Sequence, residues 1–127
     1  MQPDAGRKCV LIVEDDSIMG LEMKELIEGF GYCVPDVLTR GEAVAAAVKE
    51  HNPDVVMMDI RLKGAMTGID AAREVRQVSQ VPVIFLTGYK NSGTTEEVER
   101  IPCTVMLTKP VDFNLIEKTI KSIISSQ

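Results

Sequence analysis

A chain of 127 residues, 45% apolar and 26% charged, can bury one core, and its composition is neither disordered nor fibrous. Its net charge of −5 gives no global attraction to nucleic acid or to an anionic membrane. No apolar run approaches the roughly 20 residues of a membrane span, and Met1 to Lys8 lacks the apolar centre of a signal peptide, so the expected location is the cytoplasm.

The first apolar run, Cys9-Val10-Leu11-Ile12-Val13, is short, continuous and β-branched, the pattern of a buried parallel strand. Met19, Met23, Leu26, Ile27 and Phe30 then recur on one helical face. Asp16 is the expected N-cap of that helix and Gly31 its stop. Cys33 to Leu38 reads as a weaker strand whose Pro35 lacks a ladder donor and belongs at a sheet edge. Thr39-x-x-Glu42 has the form of a capping box opening a helix with Ala43, Val44, Ala47 and Val48. Val55-Val56-Met57-Met58 is the third strand, and Gly68 to about Ser79 the third helix. Val83-Ile84-Phe85-Leu86 is the fourth strand, and Thr94-x-x-Glu97 is expected to cap a short fourth helix before Pro102. Thr104-Val105-Met106-Leu107 is the fifth strand. Ile116, Ile120, Ile123 and Ile124 share a face of the last helix.

Five βα units imply a mostly parallel sheet with helices on both faces and right-handed crossovers. An edge position for the second strand favours the flavodoxin-like (βα)5 fold with strand order 2-1-3-4-5 over a barrel, which needs eight units. Cys9, Cys33 and Cys103 are widely spaced, odd in number and form no CxxC. They read as buried thiols rather than a disulfide framework or a zinc site. His51, the single histidine, falls where a helix should end and reads as a surface residue.

The chemistry gathers after the apolar runs. Glu14-Asp15-Asp16 follows the first, Asp59 the third, Thr87 the fourth and Thr108-Lys109-Pro110 the fifth. The C-terminal ends of parallel strands lie along one edge, where open α/β sheets place their sites. Several carboxylates brought together there repel one another, and a hard divalent cation such as Mg²⁺ relieves the repulsion. A carboxylate can act as a nucleophile toward phosphorus, with a lysine and a hydroxyl binding the phosphoryl oxygens. Asp16 fits a helix cap better than a place in this set.

These residues make the chain resemble a response-regulator receiver domain of two-component phosphorelays, of the chemotaxis-regulator kind. The pieces are Leu-Ile-Val-Glu14-Asp15, Val-Val-Met-Met-Asp59-Ile-Arg-Leu, Gly68-Ile-Asp, Phe-Leu-Thr87-Gly88 and Thr-Lys109-Pro110, in this order. The resemblance covers about Lys8 to Ser125, which leaves residues 1–7 as an expected flexible tail and 8–127 as the domain. It implies Asp59 as phosphoacceptor. Mg²⁺ or Mn²⁺ would be held by Glu14, Asp15, Asp59 and the backbone carbonyl of Arg61. Thr87 would be the switch hydroxyl and Lys109 the phosphoryl's counter-charge, with a cis Lys109-Pro110 bond. Gly88 would leave the pocket open. The family often has an aromatic three residues before the lysine, where this chain has Met106. An aromatic rotamer switch is therefore not carried over, and a flexible methionine could repack in its place. Tyr89, two residues past Thr87, is a candidate shield of the site.

What the resemblance implies is a phosphorylation switch, not a turnover enzyme. The donor would be a histidine kinase or histidine phosphotransfer protein. The output would be a protein target or a second copy, engaged through the fourth helix, fifth strand and fifth helix, with no direct nucleic-acid or membrane contact. Rival readings are a phosphorylation-independent scaffold of the same fold and a module cut from a larger regulator or hybrid kinase. An aspartate-nucleophile phosphohydrolase would want its DxD after the first strand, and a flavin or nucleotide carrier would want a glycine-rich loop there. Glu14-Asp15-Asp16 supplies neither.

Overall fold

The computed structural model describes residues 6–88 and 91–127. Five strands alternate with five helices: β1 (Val10–Val13), α1 (Ser17–Gly29), β2 (Val37–Leu38), α2 (Val44–His51), β3 (Val55–Asp59), α3 (Gly68–Arg76), β4 (Val83–Thr87), α4 (Ser92–Glu99), β5 (Thr104–Thr108) and α5 (Phe113–Ser125). The sheet is parallel throughout, in the order β2-β1-β3-β4-β5, as the pattern of apolar runs predicts. Among the described residues no helix is long and apolar enough to cross a membrane.

The unbroken apolar runs are explained by burial on both faces of the sheet. Leu11, Val13, Val56, Met58 and Phe85 pack beneath α2 and α3 with Val98 of α4. Val10, Ile12, Met57, Ile84 and Leu86 pack beneath α1 and α5, against Ile27, Ile116 and Ile120. Ile123 and Ile124 of α5 are partly buried against the same cluster. Met106, opposite Phe85 in the ladder, packs against the α2–α3 core.

Helix ends follow local hydrogen bonding, and here the sequence expectations need correction. Asp16 caps α1 as expected, accepting from the Ile18 and Met19 N–H groups at 3.0 and 3.1 Å, and Gly31 takes φ +100° just past its end. The Thr39/Glu42 box does not form. Arg40 occupies the N-cap position without a side-chain bond, and the chain enters α2 through a 3₁₀ turn, Gly41–Ala43. Gly41 backs closely onto Met66, whose carbonyl would lie 3.1 Å from a Cβ there; Thr39 instead lines a groove between α1 and β2. Nor does Thr94 cap α4. Asn91 does, accepting from the Thr94 N–H at 2.8 Å, in keeping with asparagine's stronger N-cap preference. A capping box that the sequence reading overlooked opens α3: Thr67 accepts from the Asp70 N–H, and Asp70 from the Thr67 N–H.

β2 is shorter than expected because the chain around Pro35 leaves the ladder. Only an isolated bridge between Cys9 and Cys33 precedes it. The cysteines are not uniformly buried: Cys33 is, Cys9 is half-buried, and Cys103 is exposed. Cys103 sits at φ +60° in the turn before β5, an edge strand with one open flank. His51 ends α2 half-buried, its Nε2 3.3 Å from the Glu50 carboxylate. Of the expected tail 1–7, only Gly6 and Arg7 are described.

Candidate phosphoacceptor and metal site

Four of the five strands, all but β2, deliver a part of the site at their C-terminal ends. Glu14 leaves β1 still in the ladder, its N–H bonded to the Leu38 carbonyl at 2.8 Å. Asp59 is the last residue of β3, opposite Leu86 of β4, and Thr87 follows directly. Lys109 follows β5, with its N–H on the Thr87 carbonyl at 2.7 Å. The Lys109-Pro110 bond is cis.

The side chains converge as the strand ends require. Lys109 Nζ lies 3.0 Å from Asp59 Oδ2 and 3.7 Å from Glu14 Oε1. Carboxylate oxygens of Glu14, Asp15 and Asp59 lie within 4.8 Å of one another. Glu14, Asp59 and Thr87 are the buried polar or charged side chains among the described residues. Backbone donors hold the acids in place: the Asp16 N–H on Glu14 (3.1 Å), the Arg61 N–H on Asp59 (3.2 Å) and the Lys63 N–H on Asp15 (2.9 Å). The Lys63 contact ties the loop after β3 to the loop after β1.

Three carboxylates against one ammonium leave excess negative charge in a half-buried cleft. At an effective dielectric near 20, a like-charge pair 4–5 Å apart costs about 3–4 kcal/mol. Burial raises the Glu14 pKa, and its neighbours Asp15 and Asp59 raise it further, against the Asp16 N–H and Lys109. Burial also pushes Asp15 upward, but its hydrogen bond with Glu14 and the Lys63 N–H and ammonium hold it below the usual range. The two neighbouring acids are thus driven in opposite directions, Glu14 upward and Asp15 downward. An all-oxygen set with excess negative charge fits a hard divalent cation.

Glycines shape the surroundings. Gly68, at the start of α3, donates its N–H to the Ile60 carbonyl at 2.8 Å. A Cβ on it would lie 2.9 Å from Ile60 Cα and 3.1 Å from the Asp59 carbonyl carbon, so α3 can seat against the Asp59 strand end only without a side chain there. A Cβ on Gly88 would meet nothing within 4 Å, consistent with an open pocket. Tyr89 lies outside the described residues. Beside Lys109, an apolar groove of about 480 Å³ runs between α1 and α5, lined among others by Met19, Met23, Leu26 and Phe113. Phe113 and Met19 of this lining are 63% and 43% exposed.

The response regulator receiver domain family matches residues 10–121. The chain belongs to this family. The polar-differentiation response regulator DivK of Brucella ovis is 30% identical to this receiver domain over 118 residues, 91% of this chain and 94% of that protein. The phyllosphere-induced regulator PhyR of Methylorubrum extorquens is 36% identical over 89 residues, 69% of this chain. The match spans 33% of PhyR's own length, so its receiver-like part alone is compared. Among solved structures, the signal receiver domain of a modulated diguanylate cyclase from Desulfovibrio desulfuricans superposes with a TM-score of 0.85 at 29% identity, covering 93% of this chain and 94% of that one. The chemotaxis protein CheY4 of Vibrio cholerae gives 0.84 at 23% identity over 93% of this chain and 99% of its own, a likeness of fold. The molecule is thus a receiver domain of two-component signalling. Receiver domains typically bind Mg²⁺, and Glu14, Asp15 and Asp59 form the cluster that could hold it.

Proposed function

We propose that this receiver domain is a phosphorylation switch that accepts a phosphoryl group on Asp59 from a phosphohistidine donor and is not a turnover enzyme. The observation that carries this reading is the placement of the buried Asp59 between two further carboxylates and Lys109, 3.0 Å away. Glu14, Asp15, Asp59 and the Arg61 carbonyl would hold Mg²⁺ or Mn²⁺. When bound, the ion would neutralise phosphoryl oxygens and orient the group for in-line transfer. Asp59 supplies the attacking oxygen: the P–N bond to imidazole breaks as the Asp59 O–P bond forms. Lys109 then moves from the carboxylate it now pairs with to the new phosphoryl oxygens. Thr87, next in line on β4, supplies a hydroxyl to the same group.

The donor is a histidine kinase or histidine phosphotransfer protein. It must approach over the mouth of the site, and Met19 and Phe113 give it an apolar footing beside Lys109. Rearrangement at Thr87 and Lys109 would bias the α4–β5–α5 surface toward a protein target or a second copy. Val105 and Leu115 expose apolar surface there. The relatives DivK, a polar-differentiation response regulator, and PhyR, a phyllosphere-induced regulator, are in keeping with a partner-controlling role; its expected setting is the cytoplasm, without nucleic-acid or membrane contact.

The test is intact mass after incubation with a small phosphodonor and Mg²⁺. Wild type should gain one phosphoryl group, lost on chelation of the ion and absent in Asp59→Ala. If wild type gains nothing where a control receiver is labelled, the domain is a phosphorylation-independent scaffold and the proposal fails.

A further inference from the structure

Cys9 and Cys33 are far apart in sequence but meet as register partners across the β1–β2 edge. The register is fixed by two hydrogen bonds, the Cys33 N–H to the Lys8 carbonyl at 2.9 Å and the Val10 N–H to the Cys33 carbonyl at 2.8 Å. On its other side Cys9 is held by Asp54, whose Oδ2 accepts from the Cys9 N–H at 2.8 Å. Register partners on adjacent strands project their side chains to the same sheet face. Cys9 is in phase with Leu11 and Val13, which face the α2–α3 core. Cys33 precedes Val34, which packs on the α1–α5 face, and the parallel bridge sets Cys33 side by side with Cys9 at this end of the edge. Adjacent strands lie about 4.8 Å apart, inside the roughly 4.4–6.8 Å separation of disulfide-bonded Cα atoms.

From this register we infer that Cys9 and Cys33 form a redox-dependent disulfide, a modification site distinct from the phosphoacceptor. Cys33 is buried and Cys9 half-buried, which orders the chemistry. The Cys9 thiolate attacks a low-molecular-weight disulfide such as oxidised glutathione, releasing one thiol and leaving a mixed disulfide on Cys9. Cys33 then attacks the Cys9 sulfur, forming the internal bond and releasing the second thiol. The protein loses two hydrogens, which the two released thiols carry away, and the reagent disulfide is reduced. At present Cys9 Sγ has only a weak contact, 3.9 Å from the Arg7 carbonyl, which a χ1 rotation releases. Cα atoms at this spacing hold their Cβ atoms slightly wide of the ideal separation for a disulfide. The strand must therefore close by a few tenths of an ångström, and β2 can do so. Around Pro35 it is joined to β1 by a lone bridge rather than a continuous ladder.

The bond would form at the N-terminal end of β1, the opposite end from Glu14 and Asp15. It would close a loop holding β1, both acids and α1, so that α1 and the edge strand come under one covalent tie. It is independent of whether Asp59 is phosphorylated. Cys103 is exposed on a different turn, and Cys103→Ser removes its intermolecular chemistry from the test.

The experiment treats native Cys103→Ser with oxidised glutathione, then alkylates remaining thiols in denaturant and reads intact mass and linked peptides. The expected product has lost two hydrogens, takes no alkyl group, and yields a Cys9–Cys33 peptide. Closing a loop of about 25 residues should raise Tm by roughly 5–10 °C, reversed by dithiothreitol and absent in Cys9→Ser and Cys33→Ser. A glutathione adduct that persists on Cys9, two alkylated cysteines, or a cross-link that forms only in urea would each overturn the inference.

Discussion

Adding one methyl group at Gly68 tests how tightly α3 is seated against the strand that carries Asp59. The new Cβ would lie 2.9 Å from Ile60 Cα and 3.1 Å from the Asp59 carbonyl carbon. Both are backbone atoms, so no rotamer change can relieve the contact and the helix must move away. Overpacking of this kind costs about 1–3 kcal/mol. Weakening the 2.8 Å bond from the Gly68 N–H to the Ile60 carbonyl adds about 0.5–1.5 kcal/mol. Alanine returns about 0.5–1 kcal/mol as the better helix former, so Gly68→Ala should destabilise by about 2–3 kcal/mol net. Urea titration would show this as a midpoint lowered by about 1 M at unchanged slope. The strand end would also carry Asp59 out of line, and a displacement of even 1 Å lowers such transfers by about 100-fold, so the folded protein should label slowly. Gly88→Ala is the control: with nothing within 4 Å of its Cβ, stability should stay within about 0.5 kcal/mol. A Gly68→Ala protein as stable as wild type would refute the close approach.

Thr67→Ala removes the hydroxyl of the α3 capping box and should cost about 1 kcal/mol, with Thr67→Ser restoring most of it in the same urea titration. Replacing Phe113 by Asp places a charge at the rim of the apolar groove beside Lys109. Transfer from a phosphohistidine protein should slow at least about 10-fold, a loss of about 1.4 kcal/mol, while labelling by a small phosphodonor stays near wild type. Equal slowing of both would mean that Phe113 supports the site rather than the donor. The raised Glu14 pKa gives a pH signature in chelator. The folded state binds this proton more tightly than the unfolded one, so the contribution is present below the ordinary value of 4.5 and is lost as pH rises through the folded pKa. Asp15, held below its ordinary 3.8, acts in the opposite sense and at lower pH, where its contribution is lost as pH falls. From about pH 4.5 upward, wild type should therefore lose Tm relative to Glu14→Gln. Parallel melting curves across that range would show that Glu14 carries no strained charge.

The sequence discloses the site because its residues interrupt a pattern that little else interrupts. Asp59 closes a run of four apolar residues on a strand buried on both faces, where an idle charge is costly. Strand polarity alone then brings it together with Glu14, Asp15, Thr87 and Lys109, and the flavodoxin-like order follows from Pro35 marking an edge. The errors lie where residue types compete or where the decisive neighbour is remote in sequence. Thr94 and Asn91 both suit an N-cap, and only the path of the chain into α4 selects Asn91. Thr39 heads a Thr-x-x-Glu box whose geometry is overridden by Gly41 packing on Met66, a contact with the loop before α3. Gly68 reads from the sequence only as the start of a helix, whereas its necessity comes from the backbone of Asp59 and Ile60 underneath it. Cys9 and Cys33 show the same limit most sharply. Spacing and an odd count argue against a disulfide framework, yet they say nothing of register, and register is what sets two thiols side by side. Charge placed on an apolar strand is thus legible from one dimension, while juxtaposition across an edge is a property of the sheet.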